Sequence, residues 1–261
     1  MIPRRISEHV KAHNWFAVAI DFAVVVAGVF VGMQVNDWNV MRQARARALE
    51  YSARLTDDLR FEAWQFDYLI AYYTDVLINA ERTVGALTDG PALSDEQLVI
   101  SAYRASQYLY YGSRRSTYEE MIATGDIGLI ADRRLRETAL SYFSDPTVGV
   151  VTDEGKTSDY RKAFRRAAPA DVQRALLKNC GDRIITPGDY ANIVGSINYP
   201  CTLDLPAEKI AAAAARLRAD PQVLPALQLR FADLETAIVN LHQGTPGLLA
   251  NLRAIGGEGG K

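Results

Sequence analysis

Between Trp15 and Val35 every position is apolar except Asp21 and Gln34. A helix rises about 1.5 Å per residue, so this stretch is about 31 Å long, the thickness of a bilayer's hydrocarbon core. The apolar run that follows Asp21, Phe22 to Met33, is too short to cross by itself. The segment therefore spans with Asp21 inside it, or it does not span. Further on the pattern becomes amphipathic. Leu49, Tyr51, Leu55, Leu59, Phe66, Leu69, Tyr73, Val76 and Leu77 recur at spacings that place them along one helical face. Residues 40–87 contain no Pro and no Gly before Gly85. This predicts one unbroken helix running from the apolar segment into a core, ended by Asp89-Gly90-Pro91.

The remaining pattern is also helical. Ser94 and Gln97 form a capping box, with Leu93 and Leu98 placed as a hydrophobic staple, opening a helix that runs to about Tyr111. Ser116 and Glu119 suggest a second capping box and a short helix that stops near Gly125. A helix from Asp132 to Phe143 follows, closed by Asp145-Pro146. Another runs from about Asp153 to Asn179, with an interruption at Pro169. Residues 181–206 are rich in Gly, Pro, Asn and Asp and predict an irregular stretch flanked by Cys180 and Cys201. Two or three Ala-rich helices fill 207–254. The expected fold is all-α: a cytoplasmic tail over 1–14, a transmembrane anchor over 15–35, a helical-bundle extramembrane domain over 36–254 and a flexible tail over 255–261.

Composition narrows the function classes. Lys and Arg number 29 against 31 Asp and Glu, a net charge of -2, and this balance argues against a nucleic-acid partner. The three His and two Cys show no metal spacing, so neither metal nor cofactor is expected. A cleaved signal peptide is the rival to an anchor, but no small-x-small cleavage site follows Gly32. Arg4, Arg5 and Lys11 before the span are nearly balanced by Arg42, Arg45 and Arg47 after it. The short basic start, and the chance that Cys180 and Cys201 pair in an oxidising compartment, favour a periplasmic domain. Two unrelated buried thiols are the alternative. The expected location is the bacterial inner membrane, single-pass.

The span has two distinct sides. At 100° per residue, Gly28 and Gly32 fall within about 20° of Asp21, with Ala17 and Asn39 near the same line. The opposite surface is Val- and Phe-rich and suits lipid. Gly28 and Gly32 form a GxxxG, a pattern that allows close helix–helix approach. Asp21 on the same stripe then faces a partner. The alternative is that it snorkels to the headgroups, which a short side chain does poorly.

The run from Asp21 through Gly28 and Gly32 to Gln34, Asn36, Trp38 and Asn39 resembles the start of an uncharacterised bacterial family, domain of unknown function 6090. Asp21 stands where that family usually has Glu, and Gly32 where it usually has Ala. A second block, from Tyr118 and Glu119 to Gly125 and Ile130, is similar to a Tyr-Glu block of the same family. The resemblance covers about residues 15–145. It implies a membrane-anchored helical protein and no reaction.

No paired catalysts stand out. Glu119 and Glu120 point about 100° apart on a helix. Ser101, Ser106, Ser113 and Ser116 have no His nearby in sequence, and His242 reads as an ordinary surface or core imidazole. The many tyrosines between Tyr51 and Tyr118 read as packing, or as an aromatic surface for a partner. The expected function is a non-enzymatic assembly or interaction subunit. Its partners would be the lipid bilayer and a membrane protein, or a second copy of itself, met through Ala17, Asp21, Gly28, Gly32 and Asn39. The alternatives are a ligand-sensing domain working through a separate signalling partner, because only about fourteen residues precede the span, and a membrane-tethered hydrolase.

Overall fold

A computed structural model describes residues 15–110, 112–243 and 247–257. The protein is all-helical, with 79% of it in helix. Among the described residues there is no strand. The central element is α1, Trp15–Leu87, a single helix of 73 residues and about 110 Å. From Tyr51 onward it buries a continuous stripe: Leu55, Leu59, Ala63, Phe66, Leu69, Tyr73, Val76 and Ala80. Leu49, expected on that stripe, is 75% exposed, and the core starts two residues later, at Tyr51. At 100° per residue Leu49 lies about 160° around the helix from Tyr51, so it faces away from the stripe that the bundle covers.

Around this stripe pack α2 (Asp95–Ala105), α3 (Ser116–Thr124), α4 (Arg133–Ser144), α5 (Thr147–Thr157), α6 (Asp159–Ala167), α7 (Ala170–Cys180), α8 (Ile193–Ile197), α9 (Ala207–Ala219), α10 (Val223–Gln243) and α11 (Leu248–Gly257). A 3-10 turn, Asp126–Leu129, follows α3. The main packing partners of α1 are α2, α10 and α11.

The capping box at Ser94 and Gln97 is present, with Leu98 buried behind it. Its helix stops at Ala105 rather than near Tyr111 (a residue outside those described). Ser106 Oγ and Gln107 Nε2 both donate to the Tyr103 carbonyl, which caps the last turn from the side. The carbonyls of Ser106 and Gln107, turned out of the helix, accept from Arg161 and Arg230. The second predicted capping box is absent. Ser116 is the first residue of α3, its N-cap is Arg115, and Glu119 pairs with the Arg115 guanidinium at 2.7 Å instead of reaching back to the backbone. The helix expected over 153–179 is three helices. The first begins at Thr147, whose N–H donates to the Asp145 carboxylate at 2.8 Å. Ser158 and Pro169 are the two breaks. At the C-terminus, α11 carries helix to Gly257 with Ile255 buried, so residues 255–257 of the expected tail are helical; 258–261 lie outside the described residues.

Candidate functional site

The N-terminal part of α1 leaves the bundle as a bare arm. Every residue from 19 to 43 is exposed, including Phe22, Val24, Phe30 and Trp38. Among the described residues α1 is the one helix long and apolar enough to cross a membrane. Asp21, Gly28, Gly32 and Asn39 are exposed along it, and Ala17 is half-exposed. A Cβ built on Gly28 or Gly32 would meet nothing within 4 Å. The stripe is thus a regular helical surface that no other part of the described chain covers at its two glycines.

The last part of this arm carries Gln34, Asn36, Trp38 and Asn39, all exposed, with the Arg42 guanidinium over the Trp38 ring at 5.7 Å. The bundle takes hold of the helix one or two turns later. Arg47 lies 3.9 Å from Asp126. Glu120 accepts from the Tyr51 hydroxyl at 3.0 Å and from the Arg54 guanidinium at 2.8 Å. Arg54, then Tyr51, hold the Glu120 carboxyl below the usual carboxylate range, and the same hydrogen bond pushes the Tyr51 phenol up. The second block of the family resemblance builds this foot. Tyr118 stacks on Phe143 with ring centres 4.9 Å apart, and Gly125 ends α3 in the left-handed conformation at φ 76°. From Asn39 to Tyr51 the helix rises about 18 Å, so the two blocks occupy separate levels and share no site.

A buried carboxylate about two turns past Arg54 was invisible to motif reasoning. Glu62, fully buried, accepts from Ser113 Oγ at 3.0 Å, from the Arg114 N–H and from the Tyr142 hydroxyl at 2.6 Å. It therefore pins both the 112–115 connection and α4 to α1. The readable signal was position alone. Glu62 falls on the stripe of Leu55, Leu59, Phe66 and Leu69, where a solvated charge would not be placed.

At the far end of the bundle Cys180 and Cys201 form a disulfide with Cα atoms 5.5 Å apart. Beside it lies a cavity of about 20 Å³, roughly one water in size, lined by Tyr72, Asp75, Arg104, Asp182 and Tyr199 among others. Arg104 donates to the Tyr199 carbonyl at 2.7 Å and lies 5.1 Å above its ring, while Arg183 stacks on that ring at 3.5 Å. The Tyr199 hydroxyl donates to the Gly181 carbonyl. Burial pushes the carboxyls of Asp75 and Asp182 up, against the pull of the neighbouring arginines. Asp182 also accepts from the Tyr72 hydroxyl at 3.1 and 3.2 Å. The arrangement locks the end of α7 and the 181–206 segment onto α1 and α2.

Among the described residues no group of three or more His, Cys, Asp or Glu side chains could hold a metal ion. His242 is exposed on the last turn of α10. Ser101 and Ser106 are buried, and the Ser113 hydroxyl is engaged with Glu62. Of the tyrosines, Tyr51, Tyr68, Tyr72, Tyr73 and Tyr103 are core residues, and burial pushes the Tyr73 and Tyr103 phenols up to about 12; Tyr110 is exposed. Set against protein-family models, curated proteins and solved structures, the chain matches none.

Proposed function

We propose that the chain is a single-pass protein of the bacterial inner membrane. Residues 15–35 form the anchor, the helical domain lies in the periplasm, and the whole acts as a non-enzymatic assembly or interaction subunit. The carrying observation is the apolar arm: about 31 Å of helix, continuous with the bundle's central helix and exposed at every residue from 19 onward. An apolar surface of that size needs a non-aqueous environment or a partner. The Cys180–Cys201 disulfide favours an oxidising compartment for the domain. The resemblance to domain of unknown function 6090 favours the same topology. Within the bilayer, Asp21, Gly28 and Gly32 form the side that meets a partner membrane helix or a second copy, because a carboxylate facing lipid is costly.

Membrane fractions washed in alkaline carbonate, with C-terminal reporters active in only one compartment, test anchor and orientation. Retention in the membrane with an active periplasmic reporter is expected, and release or a cytoplasmic signal overturns the reading. Single cysteines along 17–33 test the stripe. Crosslinking should peak with helical period around Gly28, and Asp21→Leu should weaken co-purification of whatever partner is captured. A flat crosslinking profile together with an unchanged partner set would remove the stripe from the mechanism.

A further inference from the structure

A second feature lies well away from the arm. Between α2, α6 and α7 lies an open pocket of about 250 Å³, lined by Tyr103, Ser106, Arg161, Phe164, Arg165 and Arg174 with their neighbours. Three arginines thus line one small space. Arg161 is anchored by donating to the Ser106 carbonyl at 2.9 Å and by lying 4.7 Å above the Tyr108 ring. Arg165 stands one turn further along α6, and Arg174 reaches the cavity from α7. Gln173 Nε2 ties the connection between these helices, donating at 2.8 Å to the carbonyls of Arg165 and Ala168.

None of the three arginines takes part in an ion pair among the described residues. The acids nearest in sequence are engaged elsewhere: Asp159 with Lys162 and Asp171 with Lys209, each at 2.8 Å. Asp182 acts on Arg161 only through space, its carboxylate taking the Tyr72 hydroxyl. Burial, then the like charge of Arg165, draw the Arg161 guanidinium below its ordinary range. A helix C-terminus favours cations, which accounts for Arg165 in the last turn of α6 but not for Arg161 or Arg174. Arg165 and Arg174 are exposed, Arg174 Nε donating to the Ala170 carbonyl at 3.4 Å, and arginines that line a pocket without a carboxylate can receive one from outside, or a phosphate in its place. Tyr103 and Phe164, with ring centres 6.1 Å apart, supply an apolar wall.

We propose that this cavity is a binding site for a small oxyanion, a carboxylate or phosphate with at least two negative charges and a compact apolar part. The shared chemistry also occurs in lipid headgroups, but position selects a soluble ligand. Tyr72 and Arg104 line one cavity, which sets this level of the bundle at roughly 55 Å along α1 from Val35, beyond the headgroups of the proposed anchor's own membrane. Only that choice of source rests on the proposed function; binding itself does not.

The test uses the full chain in neutral-lipid nanodiscs and titration calorimetry with citrate and phenyl phosphate. Benzoate serves as a single-charge probe, choline as a cationic control, and ionic strength is matched. Saturable binding of citrate or phenyl phosphate is expected, at least tenfold tighter than benzoate and with none for choline. Arg165→Gln/Arg174→Gln should lose tenfold or more of that affinity. Arg166→Gln, on the exposed side of α6 outside this cavity, should keep it. Leu177→Trp, which fills the cavity from its exposed rim, should cause a comparable loss by exclusion and replaces the double variant if that fails to fold. No binding by either polyanion, equal affinity in the cavity variants, or equal loss in Arg166→Gln overturns the site. Competition by phosphatidylglycerol added to the nanodiscs would overturn the soluble source.

Discussion

Glu62 occupies a position where the core stripe of α1 calls for an aliphatic side chain, and its neighbours explain why it is tolerated. Among the described residues, three donors from two separate parts of the chain converge on its carboxylate. Glu62→Ala leaves those donors without an acceptor in a buried place, a loss of about 2–4 kcal/mol by the cost of unmet buried hydrogen bonds. Denaturant melts should show it, and a change below about 0.5 kcal/mol would sink the assignment of Glu62 as an anchor. Asp75 gives the pH-dependent counterpart. Burial raises its carboxyl above the ordinary value of 3.8, so the folded chain holds that proton more readily than the unfolded chain. Stability therefore falls as pH rises from 3.8 to the raised folded value and is flat in this group above it. Asp182 is raised in the same direction, though that residue keeps more contact with water; Glu120, Asp159 and Asp171 are lowered and act oppositely. Comparing Asp75→Asn with the parent isolates the group: the variant's relative stability should improve as pH climbs through that window. Parallel stability curves would reject it. Neither residue was singled out from sequence, because a motif search looks for spacing along the chain, whereas Glu62 is joined to residues 51 and 80 positions away.

At the scale of elements, helix starts were legible where a side chain caps its own backbone and illegible where tertiary contacts end a turn. Ser94 and Asp132 cap as their types suggest. The end of α2 depends on Ser106 and Gln107 bonding to Tyr103, and on arginines from α6 and α10 that receive the freed carbonyls, which no local pattern encodes. The 181–206 segment was readable as irregular from its Gly, Pro and Asn content, and its flanking cysteines are bonded. Removing that bond through Cys180→Ser/Cys201→Ser releases a loop of 21 residues' separation. By loop-closure entropy the loss is about 3 kcal/mol. Thermal melts of the double variant, and of the parent in reductant, should agree. Hydrogen exchange should rise first around residues 181–206, and uniform exchange across the bundle would contradict this local role.

For the molecule as a whole, the apolar and amphipathic halves of α1 were both visible in hydropathy, but their division of labour was not. Periodicity placed Leu49 in the core, yet burial begins at Tyr51, because Leu49 sits about 160° around the helix from Tyr51 and faces away from the packed stripe. The bundle's contacts with α1 begin at Arg47, so the arm contributes nothing to the core. A chain lacking residues 1–42 should remain folded and soluble without detergent, with a melting temperature within about 3 °C of the full chain. A far-ultraviolet melt checks this, and collapse of the truncated domain would show that the arm supports the fold.

The unbroken backbone from Trp15 to Leu87 also fixes an angular relation across the whole protein. Because each residue turns a helix by 100°, the azimuth of Asp21 around the axis is locked to that of Glu62 and the faces packed on it. One residue added to the last part of the arm would swing its small-residue side by about 100° relative to the bundle, while seven would return it to within about 20°. Torsional phase, as much as length, is therefore something this single helix carries from one end of the molecule to the other.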